Sequence, residues 1–265
     1  KEDSRGKQAN PIMAAMIKSI DESLGRLMQT LERLGIADET IIILSSDNGG
    51  NYTAMAEGSA PTVPPDNPNH RWYSTYREYA GFLAPTNNFP LREGKMKVYE
   101  GGIRVPLIVK WPGRAKSGGT VDEMVSTIDF YPTILDLCGL PEPSQQAFDG
   151  LSFAPVLRHD DASLGRDTLY NFIPYYYEDR PAAITVRKGD WKLIRYFLTG
   201  PNYPVPLELY NLREDIGEQE NLIGKHPDKA RELNAMLDDF IEETAARIPI
   251  PNPAFDPREV PAWRR

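Results

Sequence analysis

The chain has 265 residues, 40 % hydrophobic and 26 % charged, a composition typical of globular domains and long enough for one large domain or a large and a small one. Its net charge of −8 comes from 30 basic and 38 acidic side chains with no block of lysines or arginines, which argues against a nucleic-acid partner. No run approaches the roughly eighteen apolar residues of a membrane span.

The opening stretch, Lys1 to Lys7, is polar and lacks the character of a signal peptide. It does not read as the start of a domain, so a longer natural chain is expected at this end. A helix is predicted from Ile12 to Leu34. Its apolar residues (Ile12, Met16, Ile20, Leu24, Leu27, Leu31 and Leu34) recur at steps of three and four and share one face. Asn10 suits the N-cap, Pro11 the first helical position and Gly35 the stop.

Thr40 to Ser46 is a short, β-branched, continuous apolar run, the pattern of a strand buried on both faces of a parallel sheet. It breaks off at Asp47-Asn48-Gly49-Gly50. Residues 51–84 show little periodicity and cluster prolines and asparagines, as a long surface loop would. His70, Arg71, Trp72, Tyr73, Tyr76, Arg77 and Tyr79 lie in it. They suit the lip of a substrate pocket and equally an ordinary loop with anchoring aromatics. A second buried strand is predicted over Pro106 to Trp111, stopped by Pro112-Gly113. Val125 to Leu137 leads through Asp129 into a short helix with Pro132 in its first turn. Helix, strand, strand, helix suggests an α/β layered domain. Cys138, the only cysteine, allows no internal disulfide and sits at the end of an apolar stretch, so a buried core position is expected for it.

After about residue 180 the pattern changes. Ala183 to Lys188 and Trp191 to Tyr196 flank Gly189-Asp190, the signature of a tight hairpin. A third strand is predicted over Leu207 to Leu212, then an amphipathic helix over Pro227 to Arg247 with Leu233, Met236, Leu237, Phe240 and Ile241 on its apolar side. Tyr170, Phe172 and Tyr175 to Tyr177 are aromatics that suit the lining of a glycan site and, more readily, core and interface packing. The proline-rich stretch 249–265 is expected to run extended over the surface.

Two segments carry candidate chemistry. Asp47 and Asn48 offer two hard oxygens where a strand ends, which is where ligands bind in open α/β sheets and what Ca²⁺ or Mg²⁺ prefers. Asp-Asn-Gly-Gly is also a good turn sequence. The second segment, Pro90 to Pro106, places Lys95 between glycine-flanked turns and runs through Tyr99-Glu100-Gly101-Gly102 into the second strand. A lysine near a metal stabilises an oxyanion; alone it is more often a solvated cation.

Taken with Asp21 to Leu27, Trp111-Pro112-Gly113, Ser126 to Thr133, Gly139-Leu140-Pro141, Arg187 to Ile194, Leu209 to Leu212 and Glu220-Asn221-Leu222, these segments resemble the type I sulfatases of the alkaline-phosphatase-like superfamily, in the family's order and over residues 12–245. The resemblance implies a partial alkaline-phosphatase-like α/β sandwich over 1–175. A small antiparallel-sheet-plus-helix subdomain over 176–248 and the tail 249–265 complete the chain.

For the site, the resemblance implies that Asp47 and Asn48 ligate a divalent cation, usually Ca²⁺ with Mg²⁺ an option, and that Lys95 contacts the sulfate. Tyr99, Glu100 and Arg104 would shape that loop, and His70, Arg71 and Lys97 are candidates for substrate contact. The family's upstream Asp-Asp pair and its Cys-x-Pro-x-Arg or Ser-x-Pro-x-Arg motif, source of the formylglycine nucleophile, are not found here. Cys138 precedes Gly139-Leu140-Pro141-Glu142 and does not match. The expected activity is hydrolysis of a sulfated small molecule or glycan by the whole protein, with this chain alone inactive and completed by its N-terminal region. A phosphonate or phosphodiester hydrolase and a non-catalytic sulfated-glycan-binding module are the alternatives. A periplasmic or secreted location rests on the resemblance only.

Overall fold

The computed structural model describes residues 10–51, 86–159, 161–174, 182–197 and 206–250. The first helix, α1, runs Pro11–Arg33. Its N-cap is Asn10, whose Oδ1 accepts from the amides of Ile12 (3.0 Å) and Met13 (3.2 Å). Gly35 follows with φ 70°, a left-handed conformation that glycine adopts without a Cβ penalty. The apolar stripe read from the sequence is present but uncovered: Ile12, Met16, Ile20, Leu27 and Leu34 are all exposed.

Strand β1, Ile42–Ser45, and strand β2, Leu107–Lys110, form a two-stranded sheet. The pairing is antiparallel, where a parallel sheet was expected, with Ser45 opposite Leu107 and Ile42 opposite Lys110. The reason is topological. The connection leaves β1 and re-enters β2 at the same end of the pair, so β2 must run back, whereas parallel strands need a crossover to the opposite end. Neither strand is buried on both faces, as Leu44 and Ile108 are exposed. A small core of Trp111, Leu137 and Ala154 packs against Ile41, Ile43 and Val109.

A short helical turn, α2, spans Glu100–Ile103 ahead of β2. Beyond β2 a 3₁₀ turn, Thr127–Asp129, opens helix α3, Phe130–Leu137, and a further helix, α4, spans Ala154–Arg158. Asp129 ties this region together. Its carboxylate accepts from the amides of Ser126 (2.7 Å) and Leu151 (2.8 Å) and from Arg166 Nη2 (2.6 Å). Burial raises the Asp129 pKa, but the Arg166 pair and the two amides win and hold it below the usual carboxylate value. Cys138 is exposed, against the expectation of a core position. It caps the open C-terminal end of α3, whose buried face is taken by Pro132, Thr133 and Leu137.

The second sheet has four antiparallel strands in sequence order: β3 (Thr168–Ile173), β4 (Ala183–Lys188), β5 (Trp191–Tyr196) and β6 (Leu207–Asn211). Gly189, φ 56°, turns the β4–β5 hairpin as its sequence implies. β3 is an additional strand and lies before residue 175, where the sequence reading ended the first domain. Helix α5, Pro227–Thr244, packs on one face, with Leu233 and Leu237 buried against Ile184, Val186, Leu193 and Leu209. Because side chains alternate along a strand, the residues between these point to the other face. There Ile194, Tyr196, Tyr210 and Ala183 enclose Val98 and Tyr99, which come from the loop before α2. The sheet is therefore sandwiched between α5 and the loop that carries Lys95.

The aromatic segment 175–177, and the expected tail from 251 onward, lie outside the described residues. Among the described residues no helix is long and apolar enough to cross a membrane.

Candidate active site

The antiparallel register places the end of β1 and the start of β2 side by side, so Asp47-Asn48 and the segment 94–106 project from the same end of the pair. Backbone bonds stitch them together. The Gly49 amide donates to Gly102 O (2.9 Å) and the Lys95 amide to Gly50 O (3.1 Å). Asn88 Nδ2 donates to both Gly50 O (2.9 Å) and Glu93 O (2.7 Å). Glycine is obligatory at this crossing: a Cβ on Gly49 would lie 1.7 Å from Gly101 O, and one on Gly102 would lie 2.1 Å from Lys97 O. The two segments read separately in the sequence thus form one backbone unit.

Asp47 is exposed and Asn48 half-buried. Among the described residues neither side chain is engaged in a hydrogen bond or ion pair; Asn48 accepts only through its backbone carbonyl, from Ser46 Oγ at 2.9 Å. A free carboxylate and a free amide oxygen at a strand end fit a hard divalent cation, which takes about six to eight oxygens if it is Ca²⁺. They fit it as part of a shell. Among the described residues no group of three or more histidine, cysteine, aspartate or glutamate side chains could hold a metal by itself.

Lys95 is exposed next to this strand end. Lys97 is placed differently: its side chain is buried and its Nζ lies 3.7 Å from Glu93 Oε2, inside the turn. His70 and Arg71 lie outside the described residues. Tyr99 and Glu100 are buried beneath the turn, and Arg104, half-exposed, reaches Glu100 at 3.8 Å.

What the sequence reading did not identify is a buried polar network behind the turn. Glu208 Oε2 accepts from the hydroxyls of Tyr99 (2.8 Å) and Tyr210 (2.8 Å), and the Tyr196 hydroxyl donates to that of Tyr99 (2.9 Å). Burial first, and the neighbouring Tyr196 and Glu208 next, push the Tyr99 hydroxyl far above its ordinary pKa, so it stays a neutral donor. Lys192 Nζ lies between Glu100 Oε1 (2.9 Å) and Glu218 Oε1 (2.8 Å), all three side chains no more than 4 % exposed. Burial raises the Glu218 pKa, opposed by Lys192 and by the Glu100 amide. The sequence holds a trace of this network. Lys192 alternates with Trp191, Leu193 and Arg195 and so shares its face with Ile194 and Tyr196, an odd place for a lysine unless it has a buried partner.

The family profile described as Sulfatase matches residues 8–140, and that described as N-sulphoglucosamine sulphohydrolase, C-terminal, matches residues 93–247. A sulfatase of Formosa agariphila is 35 % identical over 85 % of this chain and 37 % of its own length. An N-acetylglucosamine-6-O-sulfatase of Bacteroides thetaiotaomicron is 28 % identical over 85 % of this chain and 34 % of its own. The chain therefore spans little more than a third of the length of these relatives. Among solved structures, a protein in complex with its substrate D-glucosamine-2-N,6-O-disulfate superposes with a TM-score of 0.59 at 25 % identity, covering 86 % of this chain and 39 % of that one. With both halves of the chain matched by sulfatase profiles, and with the fold shared, this chain belongs to the sulfatase family, alkaline-phosphatase-like in architecture.

Proposed function

We propose that the protein of which this chain forms the described part hydrolyses sulfate esters of a sugar. Asp47 and Asn48 supply part of a divalent-cation shell, and Lys95 binds a sulfate oxygen. The observation that carries the reading is the juncture of the two segments: the Gly49–Gly102 and Lys95–Gly50 backbone bonds bring a carboxylate, an amide and a lysine to one strand end. Sugar as the alcohol component is supported by the similar protein bound to a sulfated glucosamine.

In this arrangement the Lys95 ammonium neutralises a non-bridging oxygen and steadies charge on the departing oxygen, where an ordered cation acts most strongly. A divalent ion held by Asp47 and Asn48, Ca²⁺ or Mg²⁺, supplies Lewis-acid polarisation of the sulfate when bound. Lys97, turned inward against Glu93, serves the turn rather than the substrate. His70 and Arg71 are proposed contacts to the sugar. The formylglycine nucleophile belongs to a segment outside these 265 residues, and the chain by itself is expected to turn nothing over.

The test is kinetic. In the full-length protein, Asp47→Ala and Lys95→Ala are each expected to lower kcat on an aryl sulfate by about 10²- to 10³-fold, the usual cost of deleting one charge-stabilising group. Wild-type turnover by both variants would end the assignment. Faster hydrolysis of the matched phosphate ester would move the activity to a phosphodiester or phosphonate hydrolase on the same site.

A further inference from the structure

We infer that Lys192 and Glu218 are positioning residues for Lys95: the four-stranded sheet and the loop after β6 hold the Lys95 turn in its working conformation through the buried Lys192–Glu100 and Lys192–Glu218 ion pairs and the bond from the Glu100 amide to Glu218. This rests on the reading of Lys95 as the sulfate-binding lysine.

The turn is not a relaxed one. Glu93 (φ 57°) and Met96 (φ 72°), on either side of Gly94-Lys95, both sit in the left-handed region, where a side chain is disfavoured. Such conformations persist only where the surroundings over-determine them. The turn has bonds of its own, Lys97 N–H to Gly94 O (3.1 Å) and Gly101 N–H to Arg92 O (2.9 Å), which close it on itself. They do not fix it to the rest of the molecule.

Besides the Lys95–Gly50 and Gly49–Gly102 backbone bonds to the end of β1, attachment comes from the four-stranded sheet and the loop after β6, on both flanks of Lys95. On the N-terminal flank, Arg92 Nη1 donates to the Tyr210 hydroxyl (2.9 Å) and to Glu218 O (2.7 Å), and its guanidinium lies 3.9 Å from the centre of the Tyr99 ring. On the C-terminal flank, Glu100 takes Lys192 Nζ on its carboxylate (2.9 Å) and donates its amide to Glu218 Oε2 (2.7 Å). Glu218 thus grips both flanks, by its carbonyl and by its carboxylate. Lys192 is the cation that lets two carboxylates share this apolar space. Removing that charge sets Glu100 and Glu218 against each other and frees the segment that carries Lys95.

The experiment is a double-mutant cycle in the full-length protein, read as kcat on an aryl sulfate and as competitive inhibition by inorganic sulfate. Lys192→Met and Glu218→Gln are each expected to lower kcat and to weaken sulfate inhibition about tenfold or more, as a misplaced turn would. Lys192→Arg should restore part of both. In a Lys95→Ala background the same substitutions should change kcat by less than about twofold, because residues acting through one group are not additive. Equal factors in both backgrounds would show a general structural role and overturn the inference. Loss on Lys95→Ala with such additivity leaves the Lys95 reading standing and removes this one. No loss on Lys95→Ala removes both. Glu218→Gln keeps the shape and one acceptor, for the Glu100 amide, while removing the charge, so it serves where Lys192→Met does not fold.

Discussion

Replacing Gly49 by alanine perturbs the site without touching any group proposed to meet substrate. The added methyl would lie 1.7 Å from Gly101 O, 2.7 Å from Gly101 C and 2.9 Å from Gly102 Cα. All three are backbone atoms, so no rotamer change relieves the clash. The segments must part by roughly 1 Å or more, and displacement on that scale costs about 10²-fold in rate. The Gly49–Gly102 hydrogen bond, 2.9 Å long, lies in the same crossing and is broken by the same movement. Overpacking of this kind costs about 1 to 3 kcal/mol and a lost backbone bond about 1 more, so destabilisation of about 2 to 4 kcal/mol is expected. Chemical denaturation of the full-length protein gives the second figure and aryl sulfate turnover the first. A Gly49→Ala protein with wild-type stability and wild-type kcat would refute the claim that the two segments form one unit.

Three further outcomes follow from the packing and the charges. Leu233→Ala, fully buried between α5 and the sheet, should cost about 2 to 5 kcal/mol in a urea titration. Lys192→Met should cost about 3 to 5 kcal/mol by stranding two buried carboxylates, and Lys192→Met with Glu218→Gln should recover part of that loss. The folded-state pKa of Asp129 is depressed, so its contribution is present above the unfolded value of about 3.9 and is lost as pH falls through the lower folded value. The stability gap between wild type and Asp129→Asn should therefore be wide at neutral pH and close below about pH 4 in thermal melts; a gap independent of pH would contradict the Arg166–Asp129 assignment.

The local elements were legible because their signals are local. Asn10, Pro11 and Gly35 bound α1 where a cap, a fixed φ and a left-handed stop place them, and Gly189-Asp190 turns the β4–β5 hairpin. Lys95, Asp47 and Asn48 stood out through their motifs, and the structure puts the segments bearing them at one strand end. The exposure of Cys138 is not legible in this way, because an apolar stretch does not say which of its residues ends the helix. Nor is the sense of the β1–β2 pairing, because a continuous apolar run marks burial, and direction depends on where the connection returns.

The sequence by itself determined most of the elements, β3 and α4 excepted, together with the family and the candidate ligands, all of which rest on residue type and short spacing. Only the tertiary structure decided that both faces of the small sheet are covered, one by α5 and the other by the Lys95 turn. Alternation along β5 and β6 puts Lys192 on the face of Ile194 and Tyr196 and Glu208 on that of Tyr210, but does not say what covers that face. Covering that face turns them into buried partners of Glu100, Glu218, Tyr99 and Tyr210, because a charge cut off from water must find its counter-charge or hydrogen bonds within the protein.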